Sequence, residues 1–117
     1  MPIGNVLASL AVKNLKLSQP WYETLLEMAA SSPMAEVAEW SFARGGGLQV
    51  YQLPERAGKG SCTFAVDDIE ACVATLRSMG VDTSERVTNA RVKTVMVTDP
   101  DGNHLAFAQA LDPTLTR

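Results

Sequence analysis

The chain has 117 residues, 46% of them hydrophobic and 20% charged, with a net charge of −3. That length suits one globular domain with its own core. No apolar run reaches membrane-spanning length and Lys and Arg are scattered, so neither a membrane nor a nucleic acid is an expected partner.

The N-terminus has no basic, signal-like character, which makes the cytoplasm the expected compartment. Residues 6–12 form an apolar run of strand length. In the segment that follows, Trp21, Leu25 and Met28 recur at i, i+4 and i+7, and Tyr22 and Leu26 widen the stripe, so the spacing predicts a helix over about 18–29. Pro20 fits that helix in its first turn, where a missing N–H costs no intrahelical bond. Ser18 or Asn14 is the expected cap. Ser31-Ser32-Pro33 breaks the pattern, residues 37–42 read as a strand carrying Trp40, and Gly45-Gly46-Gly47 turns the chain into a second strand over 48–53. The Gly run lacks the Lys-Ser/Thr and the helix start of a phosphate cradle. Residues 55–60 are a loop.

After that loop the opening pattern returns. Leu10-Ala11-Val12-Lys13-Asn14-Leu15 is echoed by Phe64-Ala65-Val66-Asp67-Asp68-Ile69, with Val66 standing 54 residues after Val12. The second sextet leads into a stripe of Ile69, Val73 and Leu76, with Asp68 as the expected N-cap and Met79-Gly80 as the close. Cys62 and Cys72 match neither zinc nor CxxC spacing and read as small buried hydrophobes. Residues 92–97 are β-branched and apolar, Asp99-Pro100-Asp101-Gly102 is turn chemistry, and the strand beyond it alternates. There Leu105 and Phe107 share one face, and His104, Ala106 and Ala108 the other. The chain thus reads as a single domain, residues 1–117, made of two βαβββ modules at about 1–56 and 57–117.

The repeat, the Val-x-Asn/Asp-Leu/Ile helix entry and the late Asp-Pro-Asp-Gly-Asn hairpin together resemble the vicinal oxygen chelate superfamily, which includes glyoxalase I, extradiol dioxygenases, and fosfomycin and bleomycin resistance proteins. The resemblance implies an α+β fold in which two βαβββ modules form an open concave half-barrel, with small members pairing as homodimers. It also implies where a metal would sit. Metal-dependent members place a His or Glu on the first strand and a Glu or Gln after the glycine turn of the first module. A His on the first strand of the second module and a Glu on the last strand complete the set. Alignment by helix entry puts Leu7, Gln49, Ser61 and Ala106 at these positions. Leu and Ala carry no lone pair, a Ser hydroxyl is a poor neutral ligand, and a catalytic divalent ion generally takes about three protein ligands. A site without metal or cofactor is expected.

Alternation puts Leu7, Ser9 and Ala11 on the corresponding face of the first strand, and Ser61, Thr63 and Ala65 on that of the second module's first strand. Small side chains there leave volume for a guest, to which Ser9, Gln49, Tyr51 and Thr63 offer polar contacts. His104 points to the same side. As the lone histidine it has no visible carboxylate or nucleophile to work with, which favours a rim position over general-base chemistry. Trp40 and Phe42 share a face, suited equally to stacking on a planar ligand or to core packing. Two functions follow. One is metal-independent binding or sequestration of a small apolar or aromatic molecule, as in bleomycin resistance proteins. The other is a lyase, isomerase or dioxygenase working through a metal or acid–base residue not visible in the sequence.

Overall fold

The computed structural model describes residues 1–112, which form eight strands and two α-helices in two compact units. The first unit spans Met1–Gly60 and takes in Pro100–Asn103; the second spans Ser61–Asp99 and the described residues from His104 on. In the first, β1 (Leu7–Val12) leads into α1 (Leu15–Leu26), then β2 (Ser31–Met34), β3 (Val37–Ser41) and β4 (Gly47–Gln52). In the second, β5 (Ser61–Ala65) leads into α2 (Ile69–Ser78), then β6 (Arg86–Thr88), β7 (Val92–Thr98) and β8 (His104–Ala110). The sheet orders are β1-β4-β3-β2 and β5-β8-β7-β6, with the first-listed pair parallel and the rest antiparallel. Each unit is therefore one βαβββ module with the same strand order, and the fold class is α+β.

The repeat extends to how each helix begins. Asn14 accepts from the Lys16 N–H, and Asp68 accepts from the N–H groups of Glu70 and Ala71. These caps serve orphan donors of the first turn. The first helical N–H is served from the sheet in both modules: Leu15 donates to Gln52 Oε1 at 3.0 Å, and Ile69 to Gln109 Oε1 at 2.9 Å. The ends differ. Gly80, at φ 77°, closes α2 in a Schellman arrangement, donating to Arg77 O while Val81 donates to Leu76 O. At the end of α1 the left-handed position falls on Glu27, at φ 53°.

Several sequence expectations shift. The first helix starts at Leu15, so Pro20 stands sixth in it and not in its first turn. The ring removes the N–H that Lys16 O would receive, but Lys16 is exposed and solvent can serve that carbonyl. The buried stripe is Leu15, Ser18, Tyr22 and Leu25, while Met28 is 41% exposed. The Ser-Ser-Pro segment read as a break is β2. It is an exposed edge strand, where Pro33 removes no interior ladder bond.

The cores lie between helix and sheet. In the first unit Trp40, Leu48, Val50, Leu10 and Val12 are buried with Tyr22; the Tyr22 and Trp40 ring centres are 6.1 Å apart, and Trp40 Nε1 donates to Met28 O at 2.9 Å. In the second, α2 lays Ile69, Val73 and Leu76 against a sheet face carrying Val95, Val97, Leu105 and Phe107. Phe64 and Phe107 stack there with ring centres 5.1 Å apart. Asp99-Pro100-Asp101-Gly102-Asn103 does more than turn the chain. Asn103 is fully buried; its Oδ1 accepts from Gly60 N and its Nδ2 donates to Ala11 O, both at 2.9 Å. Asp101 Oδ2 accepts from Lys13 N and Ser18 Oγ. Gly58, at φ 80°, packs so closely on Asp101 O that a Cβ there would overlap it.

Candidate functional site

Each sheet has one face under its helix and one face away from it. In the first unit the second face is built in rows across β1, β4 and β3. The middle row is Ser9, Gln49 and Glu39, which are register partners. Ser9 Oγ donates to Gln49 Oε1 at 3.1 Å, and Gln49 Nε2 donates to Glu39 Oε2 at 3.0 Å. This chain of bonds fixes which way the Gln49 amide faces. One side row is Leu7, Gly47 and Ser41; the other is Ala11, Tyr51 and Val37. Gly47 is required by close approach, since a Cβ there would lie 2.7 Å from Trp40 O and 3.1 Å from the Leu7 side chain. Ser9 and Ser41 are exposed and Leu7, Gln49, Glu39, Tyr51 and Val37 are partly so, while Ala11 is buried.

In the second unit the matching face carries Ser61, His104 and Thr98 in one row and Thr63, Ala106 and Met96 in the next. Ser61, Thr63 and His104 are exposed and Ala106 is partly buried. His104 therefore stands between two hydroxyl-bearing neighbours, at the strand end beside the hairpin. Cys62 and Phe64 point to the opposite, helix-covered face. Burial, and secondarily the negative charge of Asp99, pushes the Cys62 thiol up from its ordinary 9.0 to about 11; burial alone does the same for Cys72.

The structure thus brings Leu7, Ser9, Gln49 and Tyr51 onto one sheet face, and Ser61, Thr63, His104 and Ala106 onto another. It removes Trp40 from the set: the ring is 2% exposed and held between sheet and α1, so it cannot stack on a guest at the helix-free face. Phe42 lies beyond the end of β3, where its N–H donates to Gly46 O and closes the turn. Glu39 is a member of the face that the sequence reading missed. Its signal was present, because counting outward from the Phe42–Gly46 turn puts it directly opposite Gln49.

The donors at the four superfamily metal positions do not fit a divalent ion. Leu7 and Ala106 offer none, Ser61 offers a neutral hydroxyl, and Gln49 Oε1, which accepts from Ser9, is one ligand where about three are needed. No group of three or more His, Cys, Asp or Glu with metal-holding geometry occurs among the described residues.

The family model for the glyoxalase/bleomycin resistance protein/dioxygenase superfamily matches residues 5–107, and the chain belongs to that superfamily. A comparison with curated proteins found no match. Among solved structures, the fold is similar to a glyoxalase/bleomycin resistance protein from Catenulispora acidiphila DSM 44928. That chain is 31% identical, with a TM-score of 0.79, over 90% of this chain and 96% of that one. It is also similar to TnmS3, an antibiotic binding protein from Streptomyces sp. CB03234, at 22% identity and a TM-score of 0.78, over 94% and 98% of the two chains. Oxidase ChaP-H2 shares the fold at 16% identity and a TM-score of 0.77, over 93% of this chain and 94% of that one. The three descriptions span resistance, binding and oxidation, so the fold leaves the activity to be argued from the side chains.

Proposed function

We propose that the protein binds and sequesters a small molecule with an apolar or aromatic body, without a metal, on the helix-free faces of its sheets, and that it does so as a homodimer. The observation that carries this reading is the side-chain chemistry at Leu7, Gln49, Ser61 and Ala106. Two of these have no donor, one has a neutral hydroxyl, and Gln49 Oε1, which accepts from Ser9, is a single ligand where a catalytic divalent ion generally takes about three. What the faces offer instead is contact area from Leu7, Tyr51 and Val37, with hydrogen-bonding groups from Ser9, Gln49, Ser61 and Thr63. That combination of apolar surface and a few placed polar groups suits a guest.

The test is a thermal-shift screen of chelator-treated protein against aromatic small molecules, repeated with Zn, Ni, Mn and Fe(II) added. A guest present at about 100 times its Kd stabilises the fold by roughly 2.7 kcal/mol, a readily measured shift. The reading expects saturable stabilisation by at least one aromatic compound in chelator and none by any metal alone. Saturable stabilisation by a metal, with no guest bound in its absence, would overturn it. Light scattering is expected to report the mass of two chains.

A further inference from the structure

We propose that Glu39 makes the helix-free face of the first unit selective for guests that carry a cationic nitrogen, such as a protonated amine, on their apolar body. This inference rests on the binding reading above and narrows its class of guest. Among the side chains that β1, β3 and β4 place on that face (Leu7, Ser9, Ala11, Val37, Glu39, Ser41, Gln49 and Tyr51), Glu39 alone is a charged type. Its Oε2 accepts from Gln49 Nε2, and Gln49 is itself held by Ser9, so the carboxylate is steered by a chain of bonds spanning three strands.

No cationic side chain among the described residues forms an ion pair with Glu39. A neutral, wholly apolar guest seated over Leu7, Tyr51 and Val37 would strip water from the carboxylate and return nothing, and burying an uncompensated charge is costly. A guest that brings an ammonium to Oε1 turns that cost into a charge-assisted hydrogen bond. Glu39 thereby rejects neutral analogues as much as it attracts cationic ones. It lies one strand in from the exposed edge strand β2, and its register neighbour on that side is Ser31, whose hydroxyl donates to Glu39 O and adds no charge.

The experiment compares two probes of the same ring and nearly the same size, naphthalen-1-ylmethanamine and naphthalen-1-ylmethanol, at pH 7 and low salt. Amide resonances are followed in the wild-type protein and in Glu39→Gln. The substitution keeps the side-chain shape and an oxygen to accept from Gln49. In the wild type the ammonium probe is expected to bind about tenfold tighter than the alcohol, shifting resonances of β1 and β4. In Glu39→Gln the ratio is expected to fall to within about twofold, the alcohol binding tighter and the ammonium probe weaker than in the wild type. Equal affinities in the wild type, or a preference that survives Glu39→Gln, would overturn the role of Glu39 while leaving the binding face intact. If neither probe shifts any β1 or β4 resonance, the binding reading itself fails, and the selectivity falls with it. The wild-type comparison is decisive even if the variant melts.

Discussion

Asn103 shows how much one side chain can carry. It is fully buried, and both ends of its amide are engaged, one by Gly60 N and the other by Ala11 O. Truncation leaves a buried donor and a buried acceptor unpaired, at about 1–3 kcal/mol each. Asn103→Ala is therefore expected to lower unfolding stability in urea by at least about 2 kcal/mol. A loss below about 0.5 kcal/mol would mean that water reaches both groups. The thiols give a second residue-scale prediction. Folding holds Cys62 and Cys72 at about 11, above their ordinary 9.0, so stability from this source is whole below about pH 9 and is lost as pH climbs through about 11. Both should alkylate slowly at pH 8 in the folded protein and quickly in denaturant. Asn103 and Glu39 were the residues hardest to read from sequence. Asn103 follows a Gly in a motif that reads as local turn chemistry, and its partners are distant in the chain. Glu39 matters only once β3 and β4 are in register.

At the scale of elements, the contrast between the two helix ends is open to a paired test. Gly80 at φ 77° has open space where a Cβ would go, so Gly80→Ala incurs left-handed backbone strain alone and should cost about 1 kcal/mol. Glu27 at φ 53° already bears that strain, and Glu27→Gly should gain up to about 1 kcal/mol. Opposite shifts in urea midpoint are the expected result; two losses would mean that the Glu27 side chain contributes more than its backbone costs. Long amphipathic or alternating elements were legible in the sequence. The cap at Asp68, the stripe Ile69, Val73 and Leu76, and the final hairpin all stand where their local chemistry puts them. The edge strands β2 and β6 were not legible, because they are short and largely exposed, and tertiary pairing holds them. The start of α1 lies ahead of the sequence expectation because Pro20 favours a first turn, although Asn14 carries the cap chemistry. Which face Trp40 occupies could not come from alternation alone, since period 2 pairs it with Phe42 without saying which side the helix covers.

For the whole molecule, the internal repeat explains why the fold was recoverable while the activity was not. Equivalent signals recur 54 residues apart, at the caps Asn14 and Asp68 and at the helix starts Leu15 and Ile69, because each module needs the same backbone groups satisfied. The helix-free faces are under no such constraint, and they differ. The first carries Ser9, Gln49 and Glu39 in a bonded row, and the second carries Ser61, His104 and Thr98 in register. The proposed binding uses those faces, whose side chains suit contact and hydrogen bonding. The most direct test is titration calorimetry of an aromatic guest from the thermal-shift screen into protein stripped of metal and kept in chelator. The account predicts a saturable heat with the same Kd with and without added Zn, Ni, Mn or Fe(II). A heat that appears only when one of these ions is supplied would contradict it.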